Sequence, residues 1–337
     1  MHCFAYNGVR PAFAAPPQQA QPGHVVIGRV TLGRDAWLGA GSVIRADGHD
    51  VKAGDALQLG RGSTIHIAHD IYPTWIGHRV TVGAGAVVHA CTVGDDVVIE
   101  HGVVILDGAV VGAGAVIEAG SIVYPRHGLE GDMLHAGRPA RPVRPLAVGE
   151  LQSRAAALRA RNASLDPGWA CRPLVAHAAP DVFVGDTCDL LGDVHLESGA
   201  SVWFGCRLDA RAGRITIGRR ANVQDNSVLV AGTAGLQLGE DSTIGHNVQI
   251  TECRVGARSL VGMGSRIAAG TFIDDDCFVA AGTVTEPGQR LEGGRLWGGQ
   301  PARALGPLDD GKRAAILRTA VVYAEYAQAM RQAAASA

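Results

Sequence analysis

An all-β chain of two tandem, left-handed parallel β-helices, each followed by an α-helix, is the fold this sequence predicts. Three observations carry it. Apolar residues recur about every six positions from Val25 to Val123, each usually followed by Gly, Ala, Asp or Glu, and the same beat returns from Phe183 onward. Of the 337 residues 46 are glycine, while aromatics make up only 5%, which describes a core of small and branched aliphatics with frequent tight turns. Finally, Gly137-Arg-Pro-Ala-Arg141 and Gly299-Gln-Pro-Ala-Arg303 close the two tracts alike.

The beat is too long for alternation within a strand and too regular for helices. Trp37-Leu-Gly-Ala, Val82-Gly-Ala-Gly and Val111-Gly-Ala-Gly show it in the first tract, and Leu191-Gly-Asp-Val, Leu238-Gly-Glu-Asp and Val255-Gly-Ala-Arg in the second. One short strand and one turn per face gives a triangular coil of about 18 residues, with an aliphatic side chain pointing inward on each face. Glycines permit the corner conformations. Coils of this kind wind left-handed, an exception to the right-handed crossover rule, although the pattern itself does not reveal the hand. After each closing motif a helix is expected, over 148–162 and over 314–332. The second has an apolar stripe of Ile316, Leu317, Ala320, Val321, Ala324 and Ala327. The chain therefore divides into an N-terminal β-helix with its trailing helix (1–163), a linker (164–180) containing Pro167-Gly168 and Pro173, and a C-terminal β-helix with its helix (181–337).

Composition excludes several function classes. A formal net charge of −2 without a basic run argues against nucleic acid as a partner. The arginines between Arg154 and Arg161 alternate with alanines and read as a solvated helix face. No stretch approaches the ~18 apolar residues of a membrane span, and the N-terminus lacks a signal-peptide pattern. Seven cysteines without a CxxC pair favour a reducing compartment, so a cytoplasmic protein is expected.

Thr81-Val-Gly-Ala-Gly-Ala-Val-Val-His89-Ala-Cys91 recurs as Thr243-Ile-Gly-His246-Asn-Val-Gln-Ile-Thr251-Glu-Cys253. Ala84 in the first copy stands where His246 stands in the second, and His89 where Thr251 stands. Upstream, Ser63-Thr-Ile-His66 matches Ser227-Val-Leu-Val230. One copy thus supplies His66 and His89, the other His246. Together they make the three-histidine set that a catalytic zinc requires while keeping a position open for water. Cys91 and Cys253 recur at the same phase and read as small inward apolar residues.

With these motifs in place, both halves resemble the gamma-class carbonic anhydrases and their bacterial hexapeptide-repeat relatives. That family has an Arg-Gly-Asp-like element, an Asn-Ile-Gln-Asp element, a histidine after it, and then Gly-His-x4-His-Gly-Cys. The first half offers Arg45-Ala-Asp47, His66 and His89, but Gly60-Arg61 in place of Gln-Asp and Ala84 in place of the middle histidine. The second offers Asn222-Val-Gln224-Asp225 and His246, with Asp209-Ala-Arg211 in reversed order. The resemblance implies a homo-oligomer through β-helix faces, with each metal held between subunits by two histidines from one and the middle histidine from its neighbour. A ring of three cannot alternate N- and C-halves all the way round.

The activity so implied is hydration of CO2 to bicarbonate at a Zn2+ (or another divalent transition metal) held by His66, His89 and His246. His69, beside Asp70, is the candidate proton shuttle, since imidazole titrates near pH 6.5. Gln224 would orient water or bicarbonate; Arg45 with Asp47, and Asp225, are read as ion pairs holding the edge together. Two other readings stay open: a catalytically silent assembly scaffold, and a CoA-dependent acyltransferase or thioesterase with a histidine base. Against the latter, no basic cluster for a CoA pyrophosphate is visible.

Overall fold

The computed structural model describes residues 2–164 and 177–335. The chain divides into two compact units, Met1–Trp169 and Ala170–Ala337. Of the linker expected at 164–180, residues 165–176 lie outside the described residues.

In the first unit, short parallel strands stack rung upon rung. One ladder runs through Val26, Ile44, Ile65, Val88, Ile105 and Val123, each in register with the next. A second runs through Leu38, Leu59, Val82, Ile99 and Ile117. The third runs through Leu32, Ala53, Ile76, Val93, Val111 and Leu129. All these side chains are buried in one cluster. Each contributes roughly 1.5–3 kcal/mol on burial, so the ladders, not strand length, hold two-residue strands in place. The second unit repeats the device, for example in the buried ladder Leu190, Leu208, Leu229, Ile250 and Ile267.

The expected coil length holds only in places. Successive rungs lie 18 residues apart from Val26 to Ile44 and from Ile105 to Val123, but 23 apart from Ile65 to Val88. The additional residues leave the coil as an outward turn closed by a bridge between Ala68 and Tyr72, and the inward ladder keeps its register. At the corners rungs pass too closely for a side chain. A Cβ on Gly83 would lie 2.6 Å from the backbone nitrogen of His101, which is why glycine stands there.

Each coil ends in an antiparallel hairpin, Met133–Gly137 against Ala140–Pro145 and Arg295–Gly298 against Arg303–Pro307. Helix α1 (Glu150–Ser164) and helix α2 (Asp310–Ala335) follow. α1 sets Leu158 against Val98, Val116 and Leu134. The solvated arginine face expected here is only partly found: Arg154 bridges Glu150 and Glu100, and Arg159 reaches the Thr81 hydroxyl. In α2 the stripe is rotated from the expected one. Ile316, Ala320, Tyr323, Tyr326, Ala327 and Met330 are buried, while Leu317 and Val321 are exposed. The aromatic rings win the buried face because each covers more apolar area than a valine or leucine. No helix among the described residues is long and apolar enough to cross a membrane.

Cys91 and Cys253 point inward and are buried. Burial pushes the Cys253 thiol up to about 12 and raises that of Cys91 further, with the nearby Asp107 charge adding to it. Neither is a thiolate at neutral pH. Ellman's reagent is expected to leave both untouched in the native protein and to label both in guanidinium; native labelling of either would remove the inward role.

Candidate metal centre

His66 ends the strand Thr64–His66 and His89 ends Val87–His89, and the two residues are register partners. Because Ile65 and Val88 point inward, alternation turns both imidazoles outward on the same face. They are nevertheless buried. The same pair of positions in the second unit holds Val230 and Thr251, likewise in register.

A carboxylate meets one nitrogen of each ring. Nδ1 of His89 lies 2.7 Å from Asp107 Oδ1, and Nε2 of His66 lies 2.9 Å from Asp47 Oδ1. A carboxylate can only accept, so His89 Nδ1 carries the proton. Arg45, which can only donate, stands 3.2 Å from the same His66 nitrogen and forms a buried ion pair with Asp47 at 3.2 Å, so that nitrogen lies between a donor and an acceptor. His66 Nδ1 and His89 Nε2 face each other at 3.3 Å. A tetrahedral zinc centre with Zn–N bonds of 2.0–2.1 Å separates neighbouring nitrogens by about 3.3–3.4 Å. The donor set and its spacing fit a metal.

His246 lies at the corner after the strand Thr243–Ile244, where the first unit has Ala84 after Thr81–Val82. Its Nδ1 is 3.1 Å from Asp225 Oδ2 and its Nε2 is 3.3 Å from the Tyr323 hydroxyl of α2. Asp225 also accepts from the Phe204 amide. Gln224 is buried, its amide directed at Asn222 Oδ1 at 3.4 Å. Asp209 pairs with Arg211 and Arg207, which hold its carboxyl down at about 2. His69 sits half-buried in the outward turn after His66, in the left-handed region at φ 34°, and Asp70 beside it is exposed.

The halves differ for a physical reason at the glutamine position. A Cβ on Gly60 would lie 2.5 Å from the Ala84 nitrogen and 2.8 Å from Asn162 Oδ1. Asn162 of α1 fills that space and donates to the Val82 carbonyl. The first unit has no room for the family's glutamine.

Two partners were not anticipated from the sequence. Asp107 follows His89 by one coil, and Tyr323 reaches His246 only because α2 presents its aromatic face. A scan for carboxylates one coil from each histidine would have found Asp107, and it finds Asp47 and Asp225 as well.

A hexapeptide repeat of succinyl-transferase matches residues 73–107 and 253–285. The mitochondrial gamma carbonic anhydrase 1 of Arabidopsis thaliana is 33% identical over 156 residues, 44% of this chain and 57% of that protein. Protein YrdA of Escherichia coli is 32% identical over 163 residues, 46% of this chain and 89% of that protein. The chain belongs to the gamma carbonic anhydrase-like hexapeptide-repeat family. It spans a little over half the length of the plant relatives it matches. The solved structure of a putative acetyltransferase from Desulfovibrio desulfuricans is similar over 93% of this chain and 72% of its own, with a TM-score of 0.57 and 14% identity, a likeness of fold alone.

Proposed function

We propose that this protein is a metal-dependent hydratase of the carbonic anhydrase kind, interconverting CO2 and bicarbonate. One composite zinc site is shared between an N-half and a C-half: His66 and His89 from one, His246 from the other. A single observation carries the reading. Each of the three imidazoles has a carboxylate beside one nitrogen, Asp47, Asp107 and Asp225 respectively, while the other nitrogens of His66 and His89 face each other and that of His246 meets the Tyr323 hydroxyl. Structural histidines have no need of that arrangement, whereas metal-binding ones use it to fix tautomer and raise basicity.

A divalent ion held there supplies Lewis acidity and lowers the pKa of water towards neutrality. The chain's own residues do the rest. The three carboxylates orient the rings, and Arg45 pairs with Asp47. Gln224 orients water or bicarbonate by hydrogen bonding. His69, in the turn next to His66, carries the proton away. Two left-handed coils in tandem, divided as 1–163, 164–180 and 181–337, a homo-oligomer through β-helix faces, and a cytoplasmic setting complete the reading.

Elemental analysis after exhaustive dialysis is expected to give about one tightly held zinc per chain. His246→Ala should lose it as fully as His66→Ala. Asp107→Asn should weaken zinc by roughly 10–100-fold while leaving the fold intact. Zinc retained without His246 would overturn the composite site, and no zinc at all in protein purified without chelator would replace the hydratase by an assembly scaffold.

A further inference from the structure

We propose that the second unit carries a separate surface site for a borderline divalent transition-metal ion, built from His177, His195 and Asp193. It is independent of the proposed hydratase site. His177 and His195 are register partners on adjacent parallel strands. Their rings stack with centroids 4.4 Å apart and planes 25° apart. Asp193 is two residues before His195 on the same strand, with Val194 between them buried in the core, so alternation places Asp193 and His195 on the same outer face. One ligand atom from each of the three lies within 4.8 Å of the others.

Asp193 is held ready. Arg214 binds its Oδ2 through Nε at 2.9 Å, which leaves Oδ1 to His195 Nε2 at 2.6 Å. An ion replaces the proton between that imidazole and that carboxylate, and His177 supplies the third donor. An open groove lined by His177, His195, Glu197, Arg214 and Thr216 adjoins the three, so water completes the coordination shell. Two imidazoles and one carboxylate select Zn2+, Ni2+, Co2+ or Cu2+ over Mg2+ and Ca2+, which prefer all-oxygen shells.

The site does not follow from the repeat. At the corresponding register positions the first unit has Ala12, Thr31 and Arg29, of which none is a metal ligand. His177 is exposed, and the His195 and Asp193 side chains are 27% and 43% exposed. The ion therefore exchanges with solvent and leaves on dialysis, which separates it from the tightly held zinc.

The test is a calorimetric titration of the tag-free, chelator-stripped full chain with Ni2+, with ions counted by native mass spectrometry. The wild type should show a weak class of one ion per chain that His89→Ala leaves unchanged. His195→Ala should remove it, with a loss of at least the roughly 10–100-fold that losing even an outer-shell partner costs. These side chains lie at the surface, and matching circular dichroism spectra check that the variant folds. If the wild type lacks that class, or if His195→Ala keeps it, the site does not exist.

Discussion

Replacing His89 with alanine is expected to abolish tight zinc binding and to reduce CO2 hydration by more than the roughly 100-fold that the loss of an outer-shell partner can cost. The substitution removes one of two ring nitrogens that face each other at 3.3 Å and leaves Asp107 without its imidazole. Two donors remain where a tight site wants three. Stability should change little by comparison, because the ring lies on the outer side of its rung while Val88 carries the core contact. The measurement is stopped-flow hydration alongside zinc content, for wild type and variant. A variant that keeps its zinc, or a wild type as slow as the variant, would refute the composite centre.

The largest expected stability effect is at Trp203. It is fully buried among Phe183, Phe204, Tyr323 and Tyr326, with centroids 4.8, 6.3, 5.3 and 6.2 Å away, and its indole donates to the Ser201 hydroxyl. Trp203→Ala should cost about 3–5 kcal/mol, which for a unit of this size lowers Tm by roughly 6–20 °C. The same change loosens Tyr323, whose hydroxyl meets His246, so zinc affinity should fall as well. A Tm within a degree or two of wild type would show that α2 is not anchored through this cluster.

Much of the fold is legible in the sequence because the inward ladder is one-dimensional. Val82, Ile99 and Ile117 repeat a local rule, and a local rule can be read off a local pattern. What could not be read depends on contacts between rungs. Asp107 meets His89 because a coil of 18 residues separates them, but Asp47 and Asp225 meet their histidines across longer coils. Those lengths are set by residues added within a coil, as where the register shifts between Ala46 and Val51, and they leave no trace in the apolar beat. The α2 stripe was misjudged at Leu317 and Val321 because a periodic helix offers several faces, and only the partner surface chooses among them. In sequence, Gly60 is only a glycine in place of the family's glutamine; in the structure that space is taken by Asn162.

The terminal hairpins bear on a different matter, the length of the object. A stack of parallel rungs presents an open row of backbone donors and acceptors at its last turn, and a second molecule can dock there as the next rung. Doubling the chain back as Ala140–Pro145 against Met133–Gly137 reverses strand direction, so the exposed edge no longer continues the winding. That outer strand also carries Arg141, Pro142, Arg144 and Pro145, mostly exposed. Proline removes amide donors and arginine resists burial, which makes the edge a poor template for growth. Each coil therefore carries its own stop signal, and a chain truncated before Ala140 would be prone to polymerise end to end.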